Sequence, residues 1–458
     1  MKHGSITEGL WLSLSLLVLP CRSVSAQEEA QAPQKSLEQQ RLDTIHYGTE
    51  TEIAALIGNL KKENADYLDN ELIDLVKNTH NRSILTGVFT FFGERDKGGL
   101  EARARQAVEE RDNEANETIA AAIDYLGKVK DPEAADLFKE LINSDERRFI
   151  SNAIRALGRI GGGNQGSSDE IAEYLVDYYT NQISGDEYRR DLIVAVGETG
   201  AKRGVSFLTD ITDNSDERAV IRMAALESLA KIGDPDGLDA ILASISSTDP
   251  NIRSTAVAAL GPFTGPDVDN AILEAFRDSY YRTRISAAQA AKVRKLASAV
   301  PYLAYRAEQD EVAAVKDEAI RALGAIGAGE AQTTLEKLID ERKNSDQVKI
   351  LAAEMLISLD SGRYAEKVIA LLDDAKKRNQ TALYNGLLRV ISGAQTQKVE
   401  SLAARFFESG GVLEKSYAID MVVKNRFTGL IEQVRSLANG TSGLSGKAKT
   451  SLERLGTD

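Results

Sequence analysis

The sequence predicts an all-α fold, a right-handed α-solenoid of about twelve stacked helix pairs, and three observations predict it. The first is the stretch Ala314 to Gly327, AVKDEAIRALGAIG. There Val315, Ala319, Ala322, Leu323 and Ile326 recur at spacings of three and four and line one helix face, leaving Lys316, Glu318 and Arg321 outside. After a stop at Gly324 and Gly327, the run TTLEKLIDE sets Leu335, Leu338 and Ile339 on a second apolar stripe, so the unit is a helix pair. The second observation is repetition. With Gly324 as register mark, the pattern returns at Gly93, Gly127, Gly158, Gly197, Ala230, Gly261, Lys292, Ile357, Arg389, Val423 and Glu453, at spacings of 30 to 39 residues.

The third observation is that fixed columns keep fixed chemistry. One residue before the mark stand Phe92, Leu126, Leu157, Val196, Leu229, Leu260, Ala291, Leu323, Leu356, Leu388, Val422 and Leu452, all apolar. Five before it the residues are mostly alanine, with Val88, Leu192 and Tyr384 the exceptions, and small residues let neighbouring helices approach. Eight before it stand Arg189, Arg222, Arg253, Arg284, Lys316, Lys349 and Lys415. An aspartate three to six residues upstream, such as Asp249 or Asp310, usually accompanies them, which predicts a ladder of opposite charges between units. A fixed period with one helix pair per unit is the signature of an α-solenoid.

The copies VIRMAALESLAKIGDPDG (Val220 to Gly237), NIRSTAVAALG (Asn251 to Gly261) and AVKDEAIRALGAIG resemble HEAT repeats, specifically the short bacterial kind also found in phycobilisome-lyase-like proteins. The resemblance covers roughly residues 80 to 458. It implies a binding surface or scaffold, with a lyase-like enzyme on the same fold as the alternative. It also implies that the helix carrying the mark lines a concave face.

In chain order, residues 1–26 read as a secretory signal: Lys2, an apolar core from Leu10 to Leu19, the breaker Pro20, and Val24-Ser25-Ala26 as a small-x-small cleavage site. The core is short for a membrane span. Cys21 offers a lipoprotein anchor as the rival reading, against which Pro20 stands. Cleavage after Ala26 places the mature protein in the periplasm or outside the cell and leaves no cysteine, hence no disulfide and no thiolate nucleophile or metal ligand. Residues 27–44 read as a flexible linker, because QEEAQAPQKSLEQQ lacks apolar periodicity. Residues 45–79 hold two helical runs, IAALIGNL and DNELIDLVKN, out of register with the repeats. They read as an N-terminal cap covering the first unit.

The array is expected over 80–440 and a C-terminal capping helix over 441–458, with Leu452 and Leu455 docking it. Val88-Phe89-Thr90-Phe91-Phe92 in the first unit reads as a large core closing that end, or else as an exposed docking patch. Gly161 to Ser168 stretches the spacing to 39 and reads as a flexible loop. It is not a phosphate cradle, since no Gly-Lys-Ser/Thr follows.

The bulk numbers agree with such an array. At 458 residues, 42% apolar and 28% charged with only 8 prolines, the chain is long enough for a large core and poor in breakers. The net charge of −14, or −15 without residues 1–26, disfavours nucleic acid and anionic lipid as general partners. No other run reaches the length of a membrane span. Asn81, Asn116, Asn379 and Asn439 head glycosylation triplets that matter only on a eukaryotic secretory route.

Catalytic patterns are absent: no HExxH, GxSxG, GxGxxG after a strand, EF-hand loop or Cys-His pair. Paired acids such as Asp373 and Asp374 read as solvated helix faces among 70 acids, and His46 and His80 read as surface or capping residues. The sequence therefore assigns no catalytic residue, cofactor or metal.

Two sets of residues are candidates for binding one or more proteins of a cell envelope. Between Arg277 and Arg306 the cations Arg277, Arg282, Arg284, Lys292, Arg294, Lys295 and Arg306 face the single acid Asp278, with Tyr280, Tyr281, Tyr302 and Tyr305 among them. These read either as anchors for an acidic partner peptide or as ion pairs and packing within the array. An anionic envelope polymer is a third ligand class for the same cations. The second set is the column three before the mark, which includes Arg155, Glu227, Gln289, Arg321 and Glu354 and changes chemistry from unit to unit as an exposed row does. A dozen units at the ~9 Å spacing of packed helices reach on the order of 100 Å, a length that suits a scaffold.

Overall fold

The computed structural model describes residues 36–456 apart from 145, 146, 164, 184, 186 and 328. The signal segment 1–26 and residues 27–35 of the expected linker lie outside the described residues. The chain forms two compact units, up to Leu75 and from Val76 onward. All regular structure among the described residues is helical, and no helix there is long and apolar enough to cross a membrane.

The first unit begins with a correction. Residues expected to continue the linker to 44 are helical from Leu37: α1 (Leu37–Tyr47) opens on Ser36, whose Oγ accepts the Gln39 amide. Glutamine, glutamate and arginine support a helix without an apolar stripe, so periodicity alone missed it. Arg41 of α1 donates to Glu63 and to Tyr67 Oη, each at 2.7 Å. The two expected cap helices are present as α2 (Glu50–Glu63), which buries Ile53, Leu56, Ile57 and Leu60, and α3 (Asp69–Asn78). A capping box between Thr49 and Glu52 starts α2.

The second unit is the array. Its register helices are α4 (Arg82–Glu94), α6 (Asn116–Lys128), α8 (Ile150–Gly161), α10 (Arg189–Thr199), α12 (Ala219–Ile232), α14 (Pro250–Ala259), α16 (Tyr281–Arg294), α18 (Ala313–Ile326), the first part of α20 (Asp346–Lys377), α21 (Thr381–Ser392), α23 (Val412–Asn425) and α25 (Ser445–Leu455). Between them run the second helices α5 (Glu101–Glu109), α7 (Ala135–Asn143), α9 (Gln165–Asp177), α11 (Val205–Asp213), α13 (Leu238–Ser244), α15 (Pro266–Ala275), α17 (Val300–Gln309), α19 (Gly329–Asp340), the remainder of α20, α22 (Glu400–Ser409) and α24 (Ile431–Asn439). In α20 the two helices of one pair are joined without a loop, bent at Asp360 where φ and ψ leave the helical region at −157° and 91°. Each register helix packs on the next from α4 through α25, and each second helix packs on the register helix that follows it. This is the nearest-neighbour packing of an α-solenoid.

The core columns fall where the sequence places them. The residue before every mark is buried, and so is the residue five before it in every unit except Tyr384, which is half-buried. Gly324 does not stop its helix: it lies inside α18, and Gly327, at φ +65°, forms the cap. The mark glycines serve packing instead. A Cβ on Gly127 would stand 2.7 Å from Ala156 Cα, and one on Gly158 would stand 2.7 Å from Ala195 Cα. The aromatic run near the start of the array is core, with Phe89, Phe91 and Phe92 at most 1% exposed. The expected loop at 161–168 is shorter than its sequence implies, because α9 already begins at Gln165. The added residues lengthen that second helix, which continues into a π-turn at Tyr178–Gln182. At the end, Leu452 is buried and Leu455 half-buried.

Candidate functional site

The register helices pack side by side, so their outward positions form one continuous strip. Arg155, Glu227, Ala258, Gln289, Arg321, Glu354 and Thr450 are exposed along it, while Thr90, Asp124, Val194 and Asp420 are half-buried. Gly386 breaks the pattern and is buried, because the Ile350 side chain of α20 lies against it. The strip therefore brings Arg155, Glu227, Gln289, Arg321 and Glu354 into one row, on α8, α12, α16, α18 and α20.

Its chemistry is graded. On α8 the cations reach acids on the neighbouring helices: Arg159 donates to Asp124 at 2.7 Å and Arg155 to Asp191 at 3.5 Å. In the middle Ala258, Pro262 and Gln289 are exposed and uncharged, and Val293 is 69% exposed. Charge returns with Arg321 and Glu354. The strip thus has an uncharged centre between charged flanks, and depletion of charge at the centre is a feature that protein-contact surfaces share.

The basic segment behaves differently from its sequence. Arg284 is buried, and its Nε and Nη2 donate to the two Asp310 carboxylate oxygens at 2.7 and 2.8 Å. Its Nη1 donates to the carbonyls of Asp278 and Ser279. Lys292 pairs with Glu318 at 2.5 Å, Arg294 with Asp269 at 2.5 Å, Arg277 with Glu274 at 2.6 Å and Arg306 with Asp310 at 3.2 Å. The excess positive charge of residues 277–306 is thus largely met by acids before and after the segment. Three of the four tyrosines pack, with Tyr302 stacked on Phe276 at 5.8 Å, Tyr280 against Tyr281 at 5.4 Å and Tyr280 Oη donating to Asn251 at 3.0 Å, while Tyr305 is exposed. Arg282 stays exposed, its Nε donating only to Tyr281 Oη among the described groups, and Lys295 is exposed with no ion pair among them.

The expected ladder is present in part: three of its cations reach an acid of the next unit, whereas Arg222 and Lys316 donate to the carbonyls of Thr212 and Glu308 at 2.9 and 3.0 Å. Arg189 on α10 donates to Glu217 ahead of α12 at 2.6 Å, and Arg253 on α14 grips Asp278 ahead of α16 at 2.8 and 3.0 Å. Burial pushes the Asp310 carboxyl up, but the Arg284 fork, the Val312 amide and Arg306 outweigh it and hold the group below the ordinary aspartate value. Asp278 is held low in the same way by Arg253 and the Tyr280 amide, against burial.

Sequence reasoning placed Lys349 in this ladder but missed what surrounds it. A cavity of about 270 Å3 opens among α19, α20 and α21, and Lys349, 7% exposed, lines it with Arg342, Lys367 and Arg378. The signal was present in the sequence as Arg378, a cation, three residues before α21. Among the described residues no group of three or more His, Cys, Asp or Glu could hold a metal ion. Asp373 and Asp374 do not act as a pair: Asp373 accepts from Arg405 at 2.7 Å and Asp374 from Arg378 at 3.0 Å.

A family model described as spirochaete HEAT repeat protein matches residues 45–452. No curated protein matches the chain. Among solved structures, yeast importin-beta (Kap95p) is similar at a TM-score of 0.51 and 12% identity, over 92% of this chain and 64% of that one. Kap121p aligns at a TM-score of 0.45 and 12% identity, over 91% of this chain and 53% of its own. The complex of CpcE and CpcF of phycocyanin lyase from Nostoc aligns at 0.33 and 18% identity, over 52% of this chain and 94% of that one. The chain thus spans about half the length of Kap121p and under two thirds of importin-beta, and at these identities the likeness concerns the fold.

Proposed function

The chain belongs to the spirochaete HEAT repeat protein family, and on that premise we propose that it is an exported scaffold or assembly factor that binds one or more proteins of a cell envelope. The observation that carries the reading is the strip on the register helices. Its neighbours in the repeat are fixed as core, while the strip itself is free to change from Arg155 through Gln289 to Glu354. Along the strip the charged flanks give way to an uncharged centre of Ala258, Pro262 and Gln289 with Val293 69% exposed, which leaves room for a contact that needs no counter-charges. Contact along the strip is shape and charge complementarity, and no substrate is turned over. Export rests on Lys2, the Leu10 to Leu19 core and the Val24-Ser25-Ala26 site.

The test is crosslinking of the mature protein in its native envelope, followed by mass spectrometry of attached species and sites. The expected result is one or a few proteins attached repeatedly through the register strip, on a chain whose first residue is Gln27. Turnover of a co-purifying small molecule, abolished by a single polar substitution, overturns the scaffold reading.

A further inference from the structure

The cavity among α19, α20 and α21 contains an incomplete rung of the ladder. Lys349 stands eight residues before its mark, in the column where Arg253 and Arg284 each grip a carboxylate of the next unit and where Arg222 and Lys316 donate to the carbonyls of Thr212 and Glu308; Lys349 alone of these five has neither kind of partner among the described residues. Those carboxylates, Asp278 and Asp310, lie three residues before α16 and α18; the third residue before α21 is Arg378. Lys349 is 7% exposed as a residue and has no hydrogen bond or ion pair among the described residues; its stem is buried and its ammonium is open to the cavity without a counter-ion. It faces open space instead, in a cavity of about 270 Å3.

The other charges of the cavity do not relieve it. Its two carboxylates are paired with two other cations of the same wall, Asp374 with Arg378 at 3.0 Å and Asp340 with Lys367 at 2.8 Å, which leaves Lys349 and Arg342. Arg342, also on the wall, is exposed and has no partner among the described residues. Four cations and two already paired acids line the space.

We propose that this cavity binds a carboxylate supplied from outside the chain, taken by Lys349 with Arg342 as the second donor, so that the ligand completes the missing rung. The carboxylate is favoured over other anions because the same column of the repeat holds carboxylates at Asp278 and Asp310, in a frame built from the same register-helix start.

The test follows thermal unfolding of the full chain in three titrations at matched ionic strength, with sodium chloride as the reference. The probes are aspartate blocked at its amino and α-carboxyl groups, inorganic phosphate, and a blocked octapeptide with one central aspartate beside its asparagine counterpart. A ligand that binds only the folded state raises the midpoint saturably. The expected result is such a rise with blocked aspartate or with the aspartate peptide, absent with asparagine and lost in Lys349→Met. Arg378→Asp supplies an internal acid on the exposed loop and is expected to abolish the rise in a chain that keeps its fold. A rise with blocked aspartate alone identifies a free small carboxylate as the source, and one confined to the peptide identifies a partner's side chain. No saturable rise, a rise that survives both substitutions, or an equal rise with phosphate overturns the proposal.

Discussion

Arg284 and Asp310 form a two-pronged ion pair between consecutive units, at 2.7 and 2.8 Å, with both residues at most 5% exposed. The arginine leaves α16 near its N-terminus, crosses its own loop to bond the Asp278 and Ser279 carbonyls, and reaches the acid that precedes α18. One side chain thus ties together the loop behind it and the unit ahead.

Removing either partner leaves a buried charge without its counter-ion, which typically costs about 3–5 kcal/mol. Arg284→Met and Asp310→Asn are each expected to destabilise by that order in urea unfolding. The double variant is expected to lose less than the sum, because the second substitution removes the orphan charge left by the first. Strictly additive losses would show that the pair is not coupled.

The same carboxylates set the acid limit of stability. Asp278 and Asp310 have lower pKa values folded than unfolded. Their contribution is therefore fully present above the unfolded value of about 3.9 and is lost as pH falls through the depressed folded value. Stability is expected to drop steeply below about pH 4, and Asp310→Asn to flatten that drop while lowering stability at neutral pH. Urea midpoints collected across this window decide it; an unchanged slope in the variant removes Asp310 as a cause.

Glycine substitutions give opposite signs at two sites that look alike in sequence. Alanine in place of a helical glycine normally stabilises by about 0.4–1 kcal/mol, through helix propensity and reduced freedom of the unfolded chain. Gly58 in α2 has no atom within 4 Å of the added methyl, so Gly58→Ala is expected to stabilise. Gly158→Ala pushes that methyl to 2.7 Å from Ala195 Cα and carbonyl oxygen on the next register helix, and is expected to destabilise by about 1–3 kcal/mol. Stabilisation by both would mean that the register helices have room to part.

Much of this was legible in the sequence because repetition averages over single-residue noise. Twelve marks fixed the period, the buried columns and part of the ladder, whereas any one copy, such as Thr283 to Lys295, is too polar to reveal its register alone. What escaped had local causes. The helix α1 has no apolar stripe to announce it, and the role of Gly324 depends on the helix beside it and not on its own chain. The meaning of the basic segment lay in acids outside it: Glu274 lies just before it, and Asp269, Asp310 and Glu318 are about 25 residues from Arg294, Arg284 and Lys292, which they meet. Counting charge inside a window cannot see them. The Lys349 cavity needed two facts at once, a buried lysine and a missing acid one unit further on.

That distinction yields a test of where partners bind. Arg284, Lys292 and Arg294 hold the array together, so replacing them confuses lost binding with lost structure. Arg282 and Lys295 are exposed and meet no carboxylate among the described residues, and exposed substitutions of this kind usually change stability by no more than about 0.5 kcal/mol. Lys295 carries a local constraint, as the left-handed cap of α16 at φ +49°, and Lys295→Asn keeps a residue that tolerates that conformation. Arg282→Ala with Lys295→Asn is therefore expected to leave the unfolding midpoint near that of the parent chain. Crosslinking yields through the register strip are expected to persist in this variant, while Gln289→Lys with Val293→Glu, which places charge at the uncharged centre, lowers them. If instead the Arg282 and Lys295 changes abolish partner crosslinks at unchanged stability, the contact involves the exposed cations at the two ends of α16, and the strip is a solvated face.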